Sequence, residues 1–144
     1  MFKKSLKNKK IIISAGASGI GLATAKICLS RGATVYLCDI EDKYLNKLNK
    51  NPLKNKKLFI YKCDASNENQ VLNFFLQVKK KTKKIDGLIN NVGIAGPTGT
   101  LDKINSKDWE KTIQVDINSH FYFTKYSIPL IKKSQNGSII NISS

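Results

Sequence analysis

The chain has 144 residues, 41% of them hydrophobic and 24% charged, a balance that supports one domain with an ordinary core and excludes the disordered and fibrous classes. Its formal net charge of +15 comes from lysines scattered along the sequence, Arg31 being the one arginine; without clustered arginine or interleaved aromatics, this argues against a nucleic-acid reader. No window approaches the apolar length that spans a bilayer, and the basic start before Ile11–Ile13 leads into too short an apolar run for a secretion signal, so the expected setting is cytoplasmic.

Short apolar runs alternate with longer helical patterns, the signature of right-handed βαβ units building a parallel sheet. Lys10–Ser14 reads as the first strand. It feeds a turn containing Gly16, Gly19 and Gly21, then a helix over Ile20–Arg31 closed by Gly32. Glycine lets backbone N–H groups approach a phosphate closely, and a helix start adds positive potential. A glycine turn between a strand and a helix therefore points to a dinucleotide, although tight turns and helix packing use glycine too. The second strand, Thr34–Cys38, is followed by Asp39. Its carboxylate can accept hydrogen bonds from both adenosine ribose hydroxyls and would repel a 2′-phosphate, which favours NAD over NADP; the alternative is a solvated residue opening the turn through Asp42. A helix over Asp42–Asn49 and a strand over Lys57–Lys62 come next. Asp64 then repeats the arrangement, within reach of an adenine amino group or serving as a turn or cap residue.

Ser66 reads as the N-cap of a helix over Asn67–Lys81. A fourth strand, Gly87–Asn90, runs into Asn91-Val92-Gly93, where side-chain amides can tie neighbouring strand ends together and glycine lets the backbone pass a cofactor ribose. A plain turn is the other reading. The loop Asn91–Ser106 is the one connection long enough for a functional lid. The last helix, Lys107–Lys132, presents Trp109, Ile113, Ile117, Phe121 and Ile128 at helical spacing, a stripe suited first to packing on the sheet and second to a partner helix. His120, a single histidine, reads as structural. Ser138–Ile142 is the fifth strand; all five are expected to be buried on both faces, yet without a following strand this one would form an open apolar edge. Cys28, Cys38 and Cys63 read as reduced, buried thiols, with no metal set among them.

These motifs together resemble the N-terminal half or more of a short-chain dehydrogenase/reductase. The family's Thr-Gly-x-x-x-Gly-Ile-Gly falls on Ser14, Ala15, Gly19, Ile20 and Gly21, with Ala15 standing where the family has glycine. Its Asn-Asn-Ala-Gly falls on Asn90, Asn91, Val92 and Gly93, a valine replacing the alanine beside the expected cofactor, where two extra methyls would crowd a ribose. Val115-Asp116-Ile117-Asn118 resembles the segment whose asparagine anchors a water leading to the catalytic lysine, which implies that role for Asn118. The run Gly137–Ser144 ends on a serine that matches the one hydrogen-bonding the substrate oxygen, which implies that role for Ser144.

The resemblance implies a single Rossmann-type domain, a doubly wound parallel sheet in three α/β/α layers that is incomplete at its C-terminal side. It implies NAD as cofactor, bound by Ser14, Gly16, Ser18, Gly19, Ile20, Gly21, Asp39, Ile40, Asp64, Ala65, Asn91, Val92 and Gly93, and interconversion of a small secondary alcohol and a ketone. No tyrosine in the sequence is followed four residues later by lysine, whereas the family's Tyr-x-x-x-Lys moves the proton. General acid–base help is worth roughly a hundred- to ten-thousand-fold, so the chain alone is expected to be nearly inactive. A non-catalytic NAD-binding module is the alternative. The expected partner is a second copy or a completing subunit, with neither nucleic acid nor membrane.

Overall fold

The computed structural model describes residues 5–50 and 57–143. Five parallel strands, β1 (Lys10–Ile13), β2 (Thr34–Asp39), β3 (Leu58–Lys62), β4 (Gly87–Asn90) and β5 (Ser138–Asn141), lie in the order β3-β2-β1-β4-β5. The order reverses at β1, so the connections leaving β1 and β4 diverge and open a crevice at the carboxyl ends of the strands, the usual ligand position in open α/β sheets. Helices fill both faces, as expected for a Rossmann-type fold. Side chains alternate across each strand. Ile12, Tyr36 and Leu88 join a core supplied by Phe74, Phe75 and Val78 of α3 (Glu68–Lys81) and by Phe123 and Leu130 of α5 (Ser119–Ile131). Ile11, Ile13, Val35 and Leu37 join a second core with Ala25 and Cys28 of α1 (Gly19–Ser30) and Leu45 and Leu48 of α2 (Asp42–Asn49). Phe75 is fully buried and meets Phe74 and Phe123 edge-on, with ring centres 5.3 and 5.6 Å apart, each such pair adding about 1 kcal/mol beyond the area it buries.

The structure departs from the sequence pattern in three places. Asn67, not Ser66, caps α3: its side-chain oxygen accepts the Gln70 N–H at 3.1 Å, while Ser66 lies one residue further out with its hydroxyl donated to Asp64 Oδ1 at 2.7 Å. The pattern over Lys107–Lys132 is not one regular helix. It divides into α4 (Ser106–Ile113), a π-helical turn over Gln114–Asn118, and α5. Trp109, Ile117 and Phe121 are 53%, 59% and 59% exposed, so the stripe does not pack on the sheet. The buried face of α5 is Ser119, Phe123, Ser127 and Leu130, where two small serines let the helix approach the strands and Phe123 fills the space between them. Finally, β5 is exposed along its whole length and β3 is half-buried, since both are edge strands with one neighbour each. Among the described residues β5 pairs with β4 alone, and Cys28, Cys38 and Cys63 are free and buried.

Candidate active site

The turn after β1 is wired to the strands on either side. Ser14 is buried, and its hydroxyl oxygen accepts the Asn91 N–H at 3.0 Å; Asn91 Nδ2 in turn donates to the Ala15 carbonyl at 3.0 Å. On the other side the Gly16 N–H donates to the Cys38 carbonyl at 2.9 Å, and the Ala17 N–H to Asp39 Oδ2 at 3.0 Å. The glycines divide the work. A Cβ on Gly21 would lie 2.3 Å from the Ala15 carbonyl oxygen, so this position packs the helix start against the turn. Gly19 has φ +49° and nothing within 4 Å of where its Cβ would be; it faces open space at the start of α1, where the first amide N–H groups have no intrahelical acceptor.

Two clefts open beside this turn. The first, about 520 Å³, is lined by Ile20, by residues 91–95, and by Asp116, Ile117, His120, Ile142 and Ser143. The second, about 410 Å³, holds Ala15, Asp39, Ile40, Asp64 and Ala65. Val92, Gly93 and Ile94 line both and form the wall between them. Asp39 is 6% exposed, with Oδ1 taking the Glu41 N–H at 3.1 Å and Oδ2 the Ala17 N–H. Each carboxylate oxygen keeps a lone pair for a further donor. Asp64 both lines the second cleft and acts as a turn residue, Oδ1 accepting from the Ser66 amide at 2.9 Å and from its hydroxyl. Cys63 also lines this cleft. Its hydrogen bond with Cys38, together with burial, pushes the Cys38 thiol well above the usual range, which makes that sulfur a packing group rather than a nucleophile. Asn90 Nδ2 ties β4 to β5 through Asn141 Oδ1 at 2.8 Å and to α5 through Thr124 Oγ1 at 3.2 Å.

The structure thus gathers Ile20, Asn91, Val92 and Gly93 around the first cleft and Asp39, Ile40, Asp64 and Ala65 around the second, while Ser14, Gly16 and Gly21 build the turn and Ser18 and Gly19 stand at the start of α1. Val92 directs part of its side chain into the α3 core, which takes up bulk that would otherwise crowd the cleft. Ser144 lies outside the described residues. Asn118 lines neither cleft, and its Nδ2 donates to Gln114 Oε1. Instead the π-helical turn sends Asp116 to the first cleft, with His120 one turn later. From the sequence His120 reads as structural and Asp116 carries no role of its own, although their spacing of four on a helical pattern was the available signal.

A family model described as short chain dehydrogenase matches residues 9–144. The chain belongs to the short-chain dehydrogenase family. It is 34% identical over 141 residues to the 3-oxoacyl-(acyl-carrier-protein) reductase FabG of Thermotoga maritima, covering 96% of this chain and 56% of that protein. It is also 34% identical over 147 residues to a probable NADP-dependent mannitol dehydrogenase of Yarrowia lipolytica, covering 97% and 51%. The ligand-free aldohexose dehydrogenase of Thermoplasma acidophilum superposes with a TM-score of 0.83 at 28% identity, over 99% of this chain and 52% of that one. The chain therefore spans about half the length of the relatives it matches. Short-chain dehydrogenases are oxidoreductases that bind nicotinamide cofactors, and the residues here fit such a group: there is open space at Gly19, Gly21 admits no side chain, and one cleft lies on each side of the wall over residues 92–94. Among the described residues, no helix is long and apolar enough to cross a membrane.

Proposed function

We propose that the protein is an NAD(H)-dependent oxidoreductase interconverting a secondary alcohol and a ketone, and that this chain supplies its cofactor site. The observation that carries the reading is Asp39, a buried carboxylate held by two backbone amides at the mouth of the second cleft. In that position it accepts hydrogen bonds from ribose hydroxyls and opposes a 2′-phosphate by charge. The amides of Ser18, Gly19, Ile20 and Gly21 hold the pyrophosphate against the α1 dipole. Ile40 and Ala65 flank the adenine, Asp64 accepts from its amino group, and Asn91, Val92 and Gly93 border the second ribose. When bound, the nicotinamide supplies or receives the hydride. Ser144 orients the reacting oxygen, a role that rests on resemblance. The role implied for Asn118 has no support in its placement, since its amide is turned to Gln114. With no Tyr-x-x-x-Lys pair in the sequence, this chain alone binds cofactor but turns over little. A cytoplasmic setting belongs to the same proposal, because free buried thiols suit a reducing compartment. So does pairing with a second copy or a completing subunit through the exposed apolar stripe of α4 and α5.

Calorimetric titration tests the reading. NADH is expected to bind the folded chain at least about tenfold more tightly than NADPH, and Asp39→Ala to weaken NADH by about ten- to a hundredfold, the range of a charge-assisted hydrogen bond. Absence of heat with a folded sample, or equal affinity for NADPH, overturns it.

A further inference from the structure

We infer that His120 is a positioning residue for the cofactor: with Asp116 it clamps the Val92–Ile94 backbone, the wall between the two clefts. The inference rests on reading those clefts as a dinucleotide site. His120 Nε2 lies 2.9 Å from the Val92 carbonyl oxygen. A carbonyl oxygen only accepts, so Nε2 carries the proton and donates. The Ile94 N–H donates to Asp116 Oδ1 at 2.8 Å. The two side chains, four residues apart and one turn from each other, therefore grip the carbonyl before Gly93 and the amide after it.

Nothing in the main chain does this job. The β4–β5 and β4–β1 ladders end by Asn90, and the next residue, Asn91, is held by Ser14 and Ala15. Among the described residues, Val92, Gly93 and Ile94 make no backbone–backbone hydrogen bond. Glycine at the middle position leaves this segment more conformational freedom than any other residue would. An added Cβ at Gly93 would meet only Asp116 Oδ1 at 3.8 Å, so packing does not fix it either. The wall keeps its place because the helix beside it reaches over with two side chains. The π-helical turn that ends at Asn118 lies between α4 and the face carrying His120, and extra residues of this kind in helices are frequent at functional sites.

The experiment compares His120→Ala and Asp116→Ala with His120→Gln, which keeps a side-chain N–H donor, and Asp116→Asn, which keeps an Oδ1 acceptor. Amide hydrogen exchange without cofactor reads the clamp, and NADH titration reads its consequence. In both alanine variants, exchange at the Ile94 amide is expected to rise at least about tenfold, with β1 and β2 unchanged, and NADH affinity to fall about tenfold. The Gln and Asn variants are expected to return both towards wild type. Unchanged exchange in the alanine variants, or faster exchange with wild-type NADH affinity, overturns the inference while leaving the cofactor site standing. A folded wild type that binds no NADH overturns both.

Discussion

Ala15 sits at φ +48°, a left-handed conformation that costs a residue with a Cβ about 1–2 kcal/mol. Introducing glycine relieves that strain but gives the unfolded chain more freedom, which offsets part of the gain. Ala15→Gly is therefore expected to stabilise the protein by about 0.5–1 kcal/mol, read as a higher urea midpoint at constant slope. The adjacent Gly16 does not compensate for the alanine. It is glycine for lack of room, its Cβ position lying 2.7 Å from Leu37 Cβ, so Gly16→Ala is expected to lower the same midpoint. The sequence shows two small residues side by side where the family resemblance leads one to expect glycine first. It does not show that one position is constrained by backbone angle and the other by the neighbouring strand β2.

At the scale of elements, the strands were legible because each is a short apolar run between turn signals, and their parallel pairing followed from the βαβ alternation. The α4–α5 region was not. Apolar residues lie on both sides of it, Trp109, Ile117 and Phe121 on one and Phe123 and Leu130 on the other, and periodicity alone cannot tell which side meets the sheet. The serines at 119 and 127 decide it, and the π-helical turn moves the register so that Asp116, not Asn118, reaches the cleft. The opposite end of the sheet has a buried charge with its own consequence. Burial opposes ionisation of Asp86, but the Ser134 hydroxyl at 2.6 Å, the Lys10 amide at 2.9 Å and the nearby Lys9 and Lys84 charges outweigh it and hold its pKa below the ordinary value. A carboxyl lowered in the folded state adds stability that is complete above its unfolded pKa of about 4 and is lost as pH falls through the folded one. Ser134→Ala is thus expected to cost about 1 kcal/mol at pH 7 in urea denaturation. The difference from wild type should shrink as the pH falls below both values.

Over the whole molecule the helices cover the sheet unevenly. On the α1 face, a cleft of about 280 Å³ lies over Ile11, Ile89 and Ile140, bordered among the described residues by Leu6, Cys28 and Asn136. Ile140 is 50% exposed and Ile139, on the same edge strand, 37%. In the 144-residue polypeptide taken by itself, β5 is an apolar edge strand with unpaired backbone groups, which templates open-ended addition of further chains. The α4–α5 stripe proposed above as the pairing surface is one patch, and a pair formed through it would close as a two-fold dimer and then stop. Sedimentation across a concentration series separates these. Ile140→Lys is expected to remove the growth of large species while leaving a dimer, with a stability change within about 0.5 kcal/mol because the site is half-exposed. Phe121→Asp is expected to do the reverse, abolishing the dimer and leaving the larger species. If Ile140→Lys instead removes the dimer, the edge strand is the pairing surface and the helix stripe is not.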